Sequence, residues 1–384
     1  MSALATFAED SKIDLTMVGP EAPLAAGIVN EFEGRGLRIV GAGREAARLE
    51  SSKAFAKDFM RRRGIPSARY RIASSSDEAM TILQSGEFGS EDTPVVVKAD
   101  GLAAGKGVIV APTRAAAIQG VSDLCGGAVD AEAARRIVIE ETLSGHEVSL
   151  LIFSDGKDFR LMPAARDHKR VGEGDTGPNT GGMGSITDAR LLDEATRDLI
   201  VRVIVEPTLE GCREQGFPFR GILFIGLMMT STGPQVLEYN VRFGDPETQA
   251  ILVRLESDLS EILQAISEGR LGETELNWSS DSSACVVLAA RGYPGRPETG
   301  TLVQGLDRAV EHEHTAVFHA ATARGENGEW LTAGGRVLGV TATGETLDLA
   351  LSRCYQAVDD ISWEGMHYRR DIGRGDRAGP AANH

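Results

Sequence analysis

The chain has 384 residues, enough for two to four domains at roughly 150 residues each. Its 42% hydrophobic and 25% charged content is that of an ordinary globular protein. A formal net charge of −16 argues against non-specific DNA or RNA binding, but leaves room for a small anion held by a local group of lysines and arginines. Four separated cysteines (Cys125, Cys212, Cys285, Cys354) lack C-x-x-C spacing, which argues against zinc or a redox pair and fits free thiols in a reducing cytoplasm. No apolar run approaches the ~20 residues of a membrane span, and the amino terminus shows no signal-peptide pattern, so a cytoplasmic location is expected.

Residues 13–41 read as strand (Ile13 to Val18), turn (Gly19 to Pro23), helix (Leu24 to Glu33) and strand (Leu37 to Val40). This β-α-β crossover requires a parallel pair. Parallel sheets are normally covered on both faces and need more than two strands. Residues 1–46 are therefore expected to be the remnant of a larger parallel α/β domain. A helix follows from Ser51 to Arg63, with Ser51 or Ser52 as N-cap, and Gly64-Ile65-Pro66 ends it.

Residues 67–144 alternate strands and helices and form a small α+β lobe. They comprise a strand near Tyr70, a helix from Ser76 to Gln84, a hairpin at 94–111, a helix at 113–124 and a strand from Arg136 to Glu141. A larger lobe takes 47–66 and 145–272. Its strands are His146 to Phe153, Phe159 to Ala165, Gly221 to Thr230 and Gln235 to Tyr239, with a glycine-rich loop at 171–185 and helices at 190–215 and Leu259 to Ser267. Residues 273–372 switch to short strands (Ser283 to Ala290, Ala316 to Ala323, Arg336 to Thr343) and one helix, Thr346 to Ile361. This predicts a β-rich carboxy-terminal domain, followed by a disordered tail at 373–384.

The hairpin PVVVKADGLAAGKGVIVA places Lys98 before a glycine run and Lys106 within it. It is not a P-loop, which requires G-x-x-x-x-G-K-[ST] opening a helix. Gly101 and Gly105 are three residues apart, Gly107 stands where a hydroxyl is needed, and Val108-Ile109-Val110 reads as a strand. What remains is a strand–glycine loop–strand carrying lysines.

Three further constellations point to phosphate chemistry. In VLEYNVR, Glu238, Asn240 and Arg242 share one face of a strand at period two. A carboxylate with an amide oxygen suits Mg²⁺, and the arginine suits a transferring phosphoryl group. Ordinary half-exposed alternation also explains this pattern; the carboxylates of Phe243-Gly244-Asp245-Pro246-Glu247, at a Gly/Pro break, favour function. The strand ending Ile139-Glu140-Glu141-Thr142-Leu143 before Ser144-Gly145-His146-Glu147 suits either a hinge facing an adenine edge or merely a solvated strand end. Asp167-His168-Lys169-Arg170 precedes five glycines in residues 174–184, which free backbone N–H groups to surround an anion. A purely structural loop is the alternative, and His168 alone reads as a solvated loop histidine.

Taken in order, VVVKADGLAAGKGV, IEETLSG, DHKRVGEGDTGPNTGGMG and LEYNVRFGDPETQ resemble the ATP-grasp family, and within it the phosphoribosylamine–glycine ligases. VGPEAPL, SSKAFAKDF and TAGGRVLGVTA fit the same family, so the likeness runs from Ile13 to about Ile372. The resemblance implies an ATP-grasp fold of mixed α/β and α+β domains, with ATP as co-substrate and Mg²⁺ or Mn²⁺ as metal. It implies a monomer acting on ATP, glycine and 5-phosphoribosylamine, with no nucleic acid or membrane partner. Carried over by position, Lys53, Lys98, Gly101, Gly105, Lys106, Gly107, Glu140, Glu141, Leu143 and Glu147 would bind ATP, with Lys98 the main contact and Lys106 a mobile helper. Glu238 and Asn240 would hold the metal. Arg242, Lys98 and Asp167 would serve catalysis. Glu21, Lys169, Arg170, Asp175, Pro178, Asn179, Thr180, Gly181, Gly182 and Asp245 would face the other substrates. One departure stands out: this chain lacks the family's opening strand and Gly-Gly-Arg-Glu-His-type loop. A misassigned start or a truncation is expected, and with it the alternative of an ATP-binding protein without catalysis.

Overall fold

In a computed structural model of the chain, residues 1–103 and 107–374 are described. Gly105, Lys106 and residues 375–384 of the tail expected at 373–384 lie outside the described residues. The chain divides into two compact units, Met1–Leu161 with Glu194–Phe243 and Leu259–Thr274, and Met162–Asp193 with Gly244–Asp258 and Glu275–His384.

The first unit begins with a helix, Ser2–Asp10, that the sequence pattern does not announce. The expected parallel pair follows, Thr16 opposite Ile39 and Met17 opposite Val40. The crossover helix is two helices, Glu21–Ala25 and Ile28–Gly34, because Gly27 takes φ +86 between them. The helix Lys53–Arg63 starts where Ser52 Oγ accepts the Phe55 N–H at 3.1 Å and stops at Gly64, φ +66.

A four-stranded antiparallel sheet comes next, in the order Tyr70–Ala73, Ile137–Glu141, Val95–Ala99, Val108–Ala111. Val95, Val97, Ile137 and Ile139 bury one face with residues of the helices Ser76–Gln84 and Arg114–Asp123. The two strands expected on either side of the glycine run pair with each other, Val95–Ala99 with Val108–Ala111. A larger antiparallel set runs Gly233–Asn240, Arg220–Thr230, His146–Asp155, Phe159–Leu161. The helical stretch 194–214 is continuous through a wide π-turn at Val201–Val205, beside Pro207, which has no N–H to donate.

In the second unit five antiparallel strands run Ala165–Asp167, Gly184–Thr187, Ser282–Ala289, Arg336–Gly344, Thr315–His319. The helix Leu347–Asp360, capped by Thr346, packs on them through Ala350, Leu351, Cys354 and Ala357. Residues 162–193 and 244–258 cluster within this unit, where Gly184–Thr187 pairs with Ser282–Ala289. The long strand expected at Phe159 to Ala165 is broken around Pro163. The one expected at Ala316 to Ala323 also divides, with Thr322–Arg324 pairing instead with Trp330–Thr332. The glycine-rich 171–185 segment is not a plain loop. Arg170–Gly172 and Thr176–Asn179 form a hairpin within it. Among the described residues no helix is long and apolar enough to cross a membrane.

Gly221, at φ +109, lies against the backbone of Gly41, so an added Cβ would sit 2.9 Å from Gly41 Cα. Gly221→Ala is expected to lower unfolding free energy by about 2 kcal/mol or more in denaturant titration. A loss below about 0.5 kcal/mol would contradict this packing.

Candidate active site

The strand Gly233–Asn240 is not regular. Gly226 pairs with Glu238 but Leu227 pairs with Val236, leaving Leu237 as an extra residue. This β-bulge shifts the alternation. Val236, Tyr239 and Val241 are buried, while Leu237, Glu238, Asn240 and Arg242 are partly exposed. The bulge also leaves the Leu237 carbonyl to accept a bond from Lys98 Nζ at 3.1 Å.

Lys98 is buried, and its ammonium lies 2.9 Å from Glu140 Oε1. The other carboxylate oxygen, Oε2, lies 2.9 Å from the Nζ of Lys57, a residue that no sequence motif singles out. Lys53 donates to Gly101 O at 3.1 Å. Burial holds its ammonium below the usual lysine range, with Glu238 opposing the shift and Lys98 adding to it. Asp100 fixes this corner: Oδ1 accepts Ser52 Oγ at 2.9 Å and the Ala54 N–H at 3.0 Å, and Oδ2 meets Arg136 at 2.5 Å. The loop start needs glycine, since a Cβ on Gly101 would lie 2.6 Å from Ala133 Cβ and one on Gly107 2.6 Å from Ala103 Cβ.

The 140–143 segment offers less side-chain chemistry to a base than its sequence suggests. Glu140 is committed to the two lysines. Glu141 is committed to Arg69, accepting its backbone N–H at 2.9 Å and its Nε at 2.7 Å. Partial burial opposes ionisation of Glu141, but these Arg69 donors outweigh it and hold the carboxyl below its usual range. Leu143 is half-buried, and Glu147 stands opposite Met228 on the next strand. Gly145 is required where it is, since a Cβ there would run into the Met229 carbonyl.

Arg242 donates to Glu50 Oε1 at 2.9 Å and to the Phe243 carbonyl at 3.0 Å, and its Nε is 3.5 Å from Glu21. Two expected site residues, Glu21 and Arg242, are thus brought together. Glu50 joins them and sequence reasoning misses it, because it falls just before the expected helix Ser51 to Arg63 and in none of the motifs. Its Oε2 also accepts the Val241 N–H at 2.8 Å. Burial raises the Glu50 carboxyl against the pull of Arg242 and Val241. As a divalent-cation site, Glu238 and Asn240 fit a hard ion that takes its remaining ligands from phosphate and water. Among the described residues no cluster of three or more His, Cys, Asp or Glu forms an all-protein cage.

The second unit holds the other expected residues. Asp167 lies opposite Ser185, and Thr180 binds the Lys169 carbonyl through both N–H (2.8 Å) and Oγ1 (2.9 Å). Arg170 donates to Gly177 O at 2.7 Å. Asp175 is tied to structure: Arg369, almost fully buried, meets it at 2.7 Å while gripping Asp371 with two further N–H groups. Pro178 and Asn179 are exposed on the hairpin, and Gly181 is exposed beyond it. Arg336, named in sequence only within TAGGRVLGVTA, donates to the Gly181 carbonyl at 2.5 Å and to Asp245 at 2.8 Å. Gly182, at φ +110, admits no side chain, since a Cβ would run into Pro246. His168 is not a solvated loop residue. It is buried, its Nε2 accepts the Gly373 N–H at 3.1 Å, and its Nδ1 carries the proton 3.3 Å from Gly184 O.

Three family models match the chain in order: the phosphoribosylglycinamide synthetase N domain over residues 1–50, its ATP-grasp (A) domain over 51–248 and its C domain over 283–375. The chain belongs to the phosphoribosylglycinamide synthetase family. A curated phosphoribosylamine–glycine ligase of Vibrio cholerae is 46% identical over 372 residues, covering 97% of this chain and 85% of that one. A solved phosphoribosylamine–glycine ligase of Thermotoga maritima is 36% identical, covering 87% of this chain and 82% of that one, with a TM-score of 0.77. A biotin carboxylase of Campylobacter jejuni shares the fold alone, at 15% identity over 99% of this chain and 82% of that one, with a TM-score of 0.71. The expectation that the chain lacks the family's opening amino-terminal segment is not supported, because the N-domain model matches over residues 1–50.

Burial, reinforced by Arg369 and Arg166, lowers the His168 pKa from 6.5 to about 4. A depressed pKa contributes stability that is present above the unfolded value and lost as pH falls through the folded one. The wild type is expected to lose on the order of 3 kcal/mol between pH 6.5 and about 4 that His168→Gln does not lose, read by denaturant unfolding. Parallel pH profiles for the two proteins would contradict the buried neutral imidazole.

Proposed function

We propose that the chain joins glycine to 5-phosphoribosylamine with ATP, giving glycinamide ribonucleotide, ADP and phosphate. The observation that carries the reading is the meeting of Lys53 and Lys98 with the bulged strand that presents Glu238 and Asn240. It occurs in a chain whose curated relatives carry that ligase name. The non-catalytic alternative rested on a missing amino-terminal phosphoribosylamine-binding segment and loses that ground.

A carboxylate is a poor acyl donor, so the reaction has to install a leaving group. A carboxylate oxygen of glycine attacks the γ-phosphorus of ATP, the bond to the bridging oxygen breaks, and ADP departs. The amine of phosphoribosylamine then attacks the acyl carbon of glycyl phosphate. The amide bond forms, phosphate leaves with the former carboxylate oxygen, and the nitrogen loses a proton. Lys53 and Lys98 neutralise phosphate charge, and Arg242, aimed by Glu50 and Glu21, meets the charge that develops on the transferring group. Glu238 and Asn240 hold Mg²⁺ or Mn²⁺, which when bound supplies Lewis-acid neutralisation of the phosphates. The backbone of Glu140 to Leu143 faces the base and Glu147 the ribose.

For the second half of the chemistry we assign Asp167, Lys169, Arg170, Pro178, Asn179, Thr180, Gly181, Gly182 and Asp245 to glycine and phosphoribosylamine. Asp175 serves them by holding the hairpin. The enzyme works as a cytoplasmic monomer on small molecules.

ADP release is expected only when both glycine and phosphoribosylamine are present. Turnover unaffected by omitting either one would contradict the ligase. Glu238→Ala is expected to lower turnover by on the order of a hundredfold or more through loss of the metal. Full activity in that variant would refute the assignment.

A further inference from the structure

Lys57 is a buried cation that the proposed chemistry leaves unused. It sits one turn into the helix Lys53–Arg63, is only 2% exposed, and faces no solvent. A buried ammonium without compensation is costly, so its partners explain its presence. Its Nζ is 2.9 Å from Glu140 Oε2, and Glu140 is itself 2% exposed. The other oxygen of Glu140 is 2.9 Å from Lys98 Nζ, and Lys98 reaches onward to the Leu237 carbonyl in the bulge. The remaining groups around Lys57 are Glu141, already paired with Arg69, the Ala68 carbonyl at 3.5 Å, and the Tyr70 ring at 5.9 Å.

The charges in this row count simply. Two ammonium groups share one carboxylate, so the row is formally +1 and Lys98 keeps positive charge for a phosphate. If Lys57 were neutral, Glu140 would be matched by Lys98 alone and the row would be 0. We propose that Lys57 is a positioning residue for nucleotide binding, occupying half of Glu140 so that Lys98 remains electrostatically available to phosphate. The inference rests on the nucleotide-binding reading above. Lys57 itself never touches the nucleotide.

The arrangement makes binding sensitive to pH. Burial, opposed by Glu140, lowers the Lys57 pKa from 10.5 to about 8. Lys57 therefore loses its proton in a range where surface lysines keep theirs. The Tyr70 phenol, pushed up to about 12 by burial and its bond to Asp58, stays neutral there.

Calorimetric titration of the intact chain with ATP and Mg²⁺, from about pH 7 to about pH 9.5, tests this. Wild-type affinity is expected to fall on the order of tenfold with a midpoint near pH 8. Lys57→Arg, whose guanidinium stays charged, should bind as tightly as wild type at neutral pH and lose the alkaline limb. Lys57→Met should bind on the order of tenfold more weakly at all pH values, raising the KM for ATP while leaving that for glycine unchanged. Wild-type affinity in Lys57→Met, or a limb that persists in Lys57→Arg and so belongs to another group, would overturn the proposal. Should either variant fail to fold, the wild type decides: the Lys57 Nζ resonance of labelled protein should titrate with the midpoint of the affinity loss. A flat affinity profile or a different midpoint overturns the proposal. Absence of ATP binding in the wild type would overturn the nucleotide reading and this inference together, whereas binding without the limb overturns the inference alone.

Discussion

Glu140 is the constraint around which the nucleotide half of the molecule is arranged. A carboxylate 2% exposed is tolerable only if its charge is matched. The match comes from two different elements, Lys57 on a helix and Lys98 on the neighbouring strand. Lys98 then reaches a third element, the bulge at Leu237. One buried charge thus ties together the helix Lys53–Arg63, the small antiparallel sheet and the strand carrying Glu238 and Asn240. Breaking such a row by removing one partner costs several kcal/mol, about 3–5 in comparable buried pairs. That cost makes the geometry of Lys98 rigid before any phosphate arrives, as electrostatic preorganisation requires.

The second unit uses the same device on its own hairpin. Arg369 joins Asp175, Asp371 and the Arg170 carbonyl, and the Gly174 N–H bonds to Asp371 at 2.8 Å. A carboxy-terminal segment therefore braces glycine-rich backbone that would otherwise have many conformations to lose. His168 adds a bond from the Gly373 N–H, and does so only as a neutral ring. Arg336 performs a similar service for Gly181 and Asp245.

Much of this was legible in the sequence, and for local reasons. The cap at Ser52, the helix ending the last domain, the helix Ser76–Gln84 and the hairpin around Gly101 all follow from residues close together in the chain. The alternation of Glu238 and Asn240 along the strand also held, although the bulge that sets its phase is invisible to a period-two count and the strand ends before Arg242. What could not be read depends on distant partners. Lys57 looks like one more polar helical residue until Glu140 lies beside it, and Glu50 looks like an acid between elements until Arg242 does. His168 sits in a run of charges that suggests solvent, yet tertiary packing buries it. The short elements Ser2–Asp10 and Glu247–Leu252 carry too few periodic positions to announce themselves.

The central claim is that these groups serve phosphoryl transfer from ATP to the carboxylate of glycine. Its most direct test is to supply glycine labelled with ¹⁸O in both carboxylate oxygens and to analyse the phosphate formed alongside the amide product by mass spectrometry. One labelled oxygen in each phosphate is the predicted result, since the oxygen that attacks phosphorus leaves with it. Unlabelled phosphate accompanying product formation would contradict the acyl phosphate, and with it the role of Lys98 and its buried carboxylate in phosphoryl transfer.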